Sequence, residues 1–337
     1  MKLSVLIPTR GRPAKLARCV SDLAGQDLSA SDFEVVVGLD GRDDRAGEAA
    51  TDAWHEAGGD RRRLRIITCP RAGYIDVRHH LLSELHGEFV VSLNDDVRPS
   101  PGLLAEHLRA QQAALAAGRP AVIVGHSPFV EHPNPTLLDH LVARTSMVFF
   151  YSTMDGADPN RDWGFRHCFG LNFSAPLDLV RRVGGFPSMP DTYGYDDIEL
   201  AYRLATRFEM PVLYRPEALA EHDHRYEPID LLRREFNLGI AAWRYAALNP
   251  AFALAVFGRD ITHADEIAYC RRFVDRERET AVRLERSFLR LGDLPASCLA
   301  GAYVNDLIEL VYQQHLLLKR YVWRQGLLHE AGGGVPG

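Results

Sequence analysis

The chain reads as an α/β protein: a domain on a mainly parallel central sheet, followed by an α-helical carboxyl-terminal region. Three observations predict this. Over residues 1–125, short apolar runs of strand length alternate with longer stretches whose apolar residues recur at three- and four-residue spacing. From Pro228 onward only the helical spacing remains. Several apolar runs also stop abruptly at carboxylates, and in open α/β sheets ligands bind in the crevice beyond the carboxyl ends of the strands.

The first run, residues 3–7, is closed by Pro8 and followed by the polar loop Thr9-Arg10-Gly11-Arg12. A helical pattern then places Leu16, Cys19, Val20 and Leu23 on one face. Residues 33–39 form a strand reaching Asp40-Gly41, residues 45–57 a helix, residues 64–68 a strand and residues 76–85 another helix. The run Phe89-Val90-Val91-Ser92-Leu93 then ends at Asn94-Asp95-Asp96. An acidic pair there suits a hard cation such as Mg²⁺ or Mn²⁺, which takes carboxylate and phosphate oxygens together. A solvated turn capping the next helix is the alternative. Right-handed crossovers gather the loops that follow parallel strands along one edge, so Asp40 and Asp95 are expected to be neighbours.

Residues 101–117 read as a helix introduced by Pro99-Ser100-Pro101, and residues 121–125 as a strand. Residues 126–164 are rich in Pro, Asn and Asp, the composition of an acceptor loop or of an insertion without function. Residues 168–174 look like an edge strand, and residues 177–183 like a short helix ended by Gly184-Gly185. In the next helix Asp196 and Asp197 sit at the amino end, where the helix dipole favours a carboxylate by a few tenths to ~1 kcal/mol. Capping accounts for one of them but not for two beside Thr192-Tyr193-Gly194. Residues 211–214 read as a strand leading through a charged stretch to His222-Asp223-His224, histidines that taken alone read as surface residues.

Three helices follow at residues 228–248, 262–291 and 295–329. The last carries a stripe, Leu299, Tyr303, Leu307, Leu310, Val311, Gln314, Leu317, Leu318 and Tyr321, expected to pack against the main domain or a second copy of the chain. The glycine-rich end, residues 331–337, is expected to be disordered.

Bulk properties narrow the function. The 337 residues fit one large domain plus an appendage, and a formal net charge of −6 argues against nucleic acid as a partner. Five scattered cysteines form no Cys-x-x-Cys pair, so neither a disulfide framework nor structural zinc is suggested, and a reducing, cytoplasmic setting fits. No stretch approaches the ~20 apolar residues that span a bilayer. The run from Phe252 to Phe257 beside Trp243 and Tyr245 reads as buried core, with peripheral contact at the inner face of a membrane as the alternative.

The motifs in sequence resemble the inverting nucleotide-sugar glycosyltransferases of family 2, whose fold is called GT-A, a Rossmann-like arrangement. The similarity runs through Ser4-Val5-Leu6-Ile7-Pro8-Thr9-Arg10, the strand reaching Asp40-Gly41, Gly73 five residues before Arg78, and Asn94-Asp95-Asp96. It continues with Gly170-Leu171-Asn172-Phe173-Ser174, Val183-Gly184-Gly185-Phe186-Pro187, Tyr195-Asp196-Asp197-Ile198-Glu199-Leu200 and Tyr214-Arg215-Pro216 running to His222, and covers roughly residues 1–250.

The resemblance implies a hexosyltransferase-type enzyme that moves a sugar from a nucleotide diphosphate sugar, a UDP-sugar first, to a glycan, lipid-linked or small-molecule acceptor. It implies a divalent cation, Mn²⁺ or Mg²⁺, held by Asp96 with His222 or His224, and a donor site of Pro8, Thr9, Arg10, Asp40, Arg78, Asn94 and Asp95. Asp197 would be the general base and Asp196 its neighbour at the acceptor. The catalytic domain would span residues 1–227, with a nucleotide-sugar half at about 1–125 and an acceptor half at about 126–227. Residues 228–330 would form the helical region, with oligomerisation as its role. Three positions depart from the family's habit: Asn94 replaces an acidic residue, Asp196 a glutamate, and His79 an asparagine. A scaffold that has lost catalysis is one competing reading. A sugar nucleotidyltransferase is another, though its basic, glycine-rich phosphate loop is not matched by Pro8-Thr9-Arg10-Gly11-Arg12-Pro13.

Overall fold

The structure is a computed structural model describing residues 1–71, 73–154, 158–299 and 301–333. The chain divides into two compact units. The first comprises Met1–Val130, Gly156–Asp191 and Asp196–His224; the second comprises Glu131–Asp155, Thr192–Tyr195 and Arg225–Gly337.

The first unit is built on an eight-stranded mixed sheet. Its strands are β1 (Leu3–Thr9), β2 (Phe33–Asp40), β3 (Leu64–Cys69), β4 (Phe89–Leu93), β5 (Val97–Pro99), β6 (Val122–His126), β7 (Asn172–Pro176) and β8 (Val212–His222), in the order β3-β2-β1-β4-β7-β6-β8-β5. β1, β2, β3 and β4 run parallel, as the alternation of strands and helices predicts. β1, β2 and β4 are buried along their whole length, because helices cover both faces of a parallel sheet.

The second half of the sheet differs from the sequence reading in three ways. β7 is not an edge strand: it lies between β4 and β6, antiparallel to both, with Val91 opposite Ser174 and Ile123 opposite Ser174 on the other side. β8 does not stop at Tyr214; it runs on through His222, with an irregularity in its pairing beside Gly125 and His126. β5, which no periodicity marks, pairs antiparallel with the end of β8, setting Val97 opposite His222. Its residue Val97 directly follows Asp96, so this register brings carboxylate and imidazole together.

The second unit is helical: Leu137–Arg144, Pro228–Leu248, Pro250–Phe257, Ala264–Leu289 and Val304–Ala331. The final helix starts at Val304 rather than at residue 295, because residues Ala296–Cys298 form a separate 3₁₀ turn after Pro295. Pro228–Leu248 and Val304–Ala331 cross where Gly239 meets Gly326; a Cβ on Gly239 would run into the Trp323 carbonyl, and one on Gly326 into the Phe236 carbonyl. A core of Ala242, Ala246, Ala253, Ile261, Cys270 and Leu327 fills the space beside the crossing. Phe252 and Ala253 are buried there, as the core reading of that run expects, while Leu254 is exposed. Only part of the stripe on the last helix is covered: Leu318 and Tyr321 are buried, whereas Tyr303, Leu307 and Leu310 are exposed. Among the described residues no helix is long and apolar enough to cross a membrane. Residues 334–337 of the expected disordered end lie outside the described residues; Ala331 closes the last helix.

Candidate active site

The carboxyl ends of β1, β2 and β4 place Thr9, Arg10, Asp40 and the acidic pair along one edge. Thr9 Oγ1 donates to Asp95 Oδ2 at 2.6 Å, and Arg10 Nη1 lies 3.5 Å from Asp40 Oδ2. Asp40 and Asp95 thus flank the end of β1. Asp40 also accepts from the Gly73 amide at 3.2 Å, which fixes the carboxylate against the start of the helix Tyr74–Leu81. Pro8 is buried in β1 opposite Gly38.

Beyond β4 the chain turns through Asn94-Asp95-Asp96 into β5. The Asp223 amide donates to the Asp96 carbonyl at 2.8 Å, and His222 is pinned on its other side by the Val130 amide and the Pro128 carbonyl. In the pocket so formed, Asp96 Oδ1 lies 3.6 Å from His222 Nε2, and Asp96 Oδ2 lies 3.3 Å from His224 Nδ1. The two imidazoles stack with centroids 5.4 Å apart. The candidate ligand atoms of Asp96, His222 and His224 all lie within 4.8 Å of one another.

This donor set fits a divalent cation. Asp96 Oδ1 is buried and receives no hydrogen bond among the described residues, an arrangement that a cation would satisfy. Burial opposes ionisation of Asp96, yet His222, His224 and Arg12 together hold its carboxyl well below the usual range. Burial also lowers the pKa of His222, favouring the neutral imidazole that can ligate a metal. Both His222 and His224 reach Asp96.

A second group lies at the amino end of the helix Asp196–Phe208. Arg78, buried, donates from Nη1 to Asp196 at 2.7 Å and from Nη2 to Asn94 Oδ1 at 2.7 Å and the Gly170 carbonyl at 2.9 Å. Tyr74 OH donates to Asp196 at 2.8 Å. The Gly170 amide donates to Asp197 Oδ2 at 2.6 Å. Asp197 keeps part of its surface open, but its carboxyl is ringed by protein; desolvation first, then the charge of Asp196, pushes its pKa up to about 7 against the pull of Gly170 and Arg78. One connected set therefore runs from Asn94, beside the acidic pair, through Arg78 and Gly170 to Asp197. The Val183-Gly184-Gly185-Phe186 turn supports it: the Phe186 ring lies under the Arg78 guanidinium, and the Phe186 carbonyl is 2.6 Å from His79 Nδ1.

Three participants escape a reading of the sequence. Arg12 bridges Asp95 at 3.2 Å and Asp96 at 2.8 Å, Tyr74 holds Asp196, and Gly170 uses both its amide and its carbonyl. The signal for Gly170 was its motif. Arg12 and Tyr74 carried none, because an arginine in a loop and a tyrosine opening a helix are ordinary.

The Glycosyl transferase family 2 profile matches residues 4–176. Two validoxylamine A glucosyltransferases, from Streptomyces hygroscopicus subsp. jinggangensis (strain 5008) and subsp. limoneus, are each 29% identical over 223 residues. Those matches cover 60% of this chain and 51% and 47% of the relatives, so the chain spans about half the length of the curated relatives it matches. Among solved structures, the mannosyltransferase PcManGT of Pyrobaculum calidifontis, in complex with GDP-Man and Mn²⁺, superposes with a TM-score of 0.55 at 18% identity, over 98% of this chain and 86% of that one. TarS 1–349 of S. aureus gives 0.50 at 14% identity, over 99% and 92%. At such identities the structural matches speak to the fold, which is GT-A, while the profile match speaks to descent: the chain belongs to glycosyl transferase family 2.

Proposed function

We propose that the chain is an inverting, cation-dependent glycosyltransferase that moves a sugar from a nucleotide diphosphate sugar to an acceptor, with Asp197 as general base. The observation that carries this reading is the connected set joining Asn94, at the acidic turn, through Arg78 and Gly170 to Asp197. It links a cation site to a carboxyl poised near neutrality. A general base works best when its pKa lies near the operating pH, and Asp197 meets that condition. A divalent cation held by Asp96, His222 and His224 would neutralise charge on the departing diphosphate.

The remaining chemistry falls to the chain's own residues. Asp197 takes the proton of the acceptor group, and Asp196, fixed by Arg78 and Tyr74, orients the acceptor or the base. Arg78 and Asn94 define the floor of the donor site, with Thr9, Arg10, Asp40 and Asp95 around the nucleoside. In this reading the donor half lies within about residues 1–125 and the acceptor half within 126–227. The relatives are named for glucosyl transfer, so UDP-glucose is the first donor to offer. The exposed Tyr303, Leu307 and Leu310 serve contact between copies of the chain.

The test is calorimetric binding of uridine, guanosine, thymidine and cytidine diphosphates with and without Mn²⁺, on the wild type and on Asp96→Asn. Mn²⁺-dependent binding of one nucleotide, weakened at least tenfold by the substitution, is expected. A well-folded protein that binds none of them would overturn the reading.

A further inference from the structure

Asn172 and Ser174, two residues of the motif that supplies Gly170, are wholly buried in β7, and with them the helix Leu103–Ala116 of the same sheet unit forms a polar network. Asn172 Nδ2 donates to the Ala218 carbonyl at 2.9 Å and to the His126 carbonyl at 3.3 Å. Its Oδ1 lies 2.8 Å from His107 Nε2, His107 Nδ1 lies 2.9 Å from Ser174 Oγ, and Gln111 Nε2 donates to that hydroxyl at 2.9 Å. Each donor follows from the one before. Carbonyls only accept, so the Asn172 nitrogen faces them and its oxygen takes the His107 Nε2 proton. Burial pushes the His107 pKa down to about 4, so the imidazole is neutral and its other nitrogen accepts from Ser174.

The two carbonyls that Asn172 joins lie at the irregularity of β8. Between Gly125 and His126 β6 advances by a single residue, while β8 advances from Arg215 to Leu219 and leaves Pro216, Glu217 and Ala218 outside the register. Ala218 is wholly buried, so its carbonyl needs a donor, and Asn172 supplies it. Gly125 makes the room: a Cβ there would collide with both the Ala218 carbonyl and the Asn172 amide. Beyond this bulge β8 pairs with β5, setting Val97 opposite His222. Side chains alternate along a strand, so a slip of one residue would present Glu221 or Asp223 where His222 now meets Asp96.

We infer that Asn172 is a positioning residue for the candidate cation site: its side-chain amide, oriented by His107, clamps the bulge of β8 and so fixes the register that turns His222 toward Asp96. The inference rests on the reading of Asp96, His222 and His224 as cation ligands for its functional meaning, though not for its geometry. Asn172 touches none of the three in the bonds it makes, and acts through backbone alone. Beta-bulges that re-aim a side chain are common beside active sites, and this one is held by a buried amide whose own direction is set by a neutral histidine.

Two readouts on the full chain test this. Hydrogen exchange at the Asp223 amide, which donates to the Asp96 carbonyl, reports the register without any cation. Calorimetric titration with Mn²⁺, alone and with uridine diphosphate present, reports the site. In Asn172→Ala, exchange at Asp223 should quicken and Mn²⁺ affinity fall, each at least tenfold. Ser174→Ala breaks bonds in the same buried network but leaves the Asn172 amide in place, so both readouts should stay within about twofold even where its melting temperature drops. Wild-type exchange at Asp223 in folded Asn172→Ala overturns the inference, as do equal losses in the two variants. If Asn172→Ala fails to fold, His107→Gln, which keeps a donor for Asn172, is compared with His107→Leu, which has none. Faster exchange in the leucine variant alone supports the inference, and equal exchange in both overturns it. A folded wild type that binds no Mn²⁺ in either titration overturns the cation site, whereas the exchange rates decide the clamp, so the two readings fail separately.

Discussion

At the scale of single residues, the environment of Asp197 turns an ordinary carboxyl into one that changes charge near neutrality. Replacing it with Asn should lower turnover by about 10²- to 10⁴-fold, the contribution typical of a positioned general base. Nucleotide affinity should stay within a few-fold, which calorimetry and steady-state kinetics on the same variant would check. The pH dependence follows with a definite sign. A general base works deprotonated, so under the proposed function kcat should rise with pH through about 7. Stability runs the other way: the carboxyl's folded pKa is raised above its unfolded value. Its contribution is therefore complete below about 4 and lost as pH rises through about 7. The wild type should accordingly lose melting temperature relative to Asp197→Asn between those limits, as scanning calorimetry at a series of pH values would show.

At the scale of elements, the glycine crossing of Pro228–Leu248 with Val304–Ala331 makes the sharpest demand. Backbone atoms stand where either Cβ would go, and backbone cannot rotate aside. Gly239→Ala and Gly326→Ala should each destabilise by about 1–3 kcal/mol or more in chemical denaturation. Because the sites touch, the double variant should cost less than the sum. Elements also mark how far the sequence could be read. β1, β2 and β4 were legible because each is an uninterrupted apolar run ending at a polar residue. β7 was visible as a strand, but its place inside the sheet depends on Val91 and Ile123 meeting Ser174 from opposite sides, pairings between residues far apart in sequence. The second half of β8 was hidden by Arg215-Pro216-Glu217, which reads as a loop because one charged, proline-containing stretch fits either state. Hence the motif named His222, while only the pairing of β5 with β8 shows why it meets Asp96.

At the scale of the whole chain, the last helix begins with an exposed apolar surface. Tyr303 is 74% exposed and Leu310 56%. Light scattering at micromolar concentration should give a mass above that of one chain, and Tyr303→Glu with Leu310→Glu should return it to the monomer. The candidate cation site, for its part, would draw its carboxylate, Asp96, and its imidazoles, His222 and His224, from distant parts of the chain. Asp95 and Asp96 leave the ribosome early, whereas His222 and His224 follow only after β6, β7 and most of β8. A nascent chain halted before β8 holds the acidic pair with Arg12 as a counter-charge, but has no imidazole to complete the ligand set. Long-range pairings of this kind form late because loop closure must precede them. Under the proposed function, tight capture of a divalent cation would therefore serve as a clock, striking only when synthesis has passed His224 and the last strands have closed.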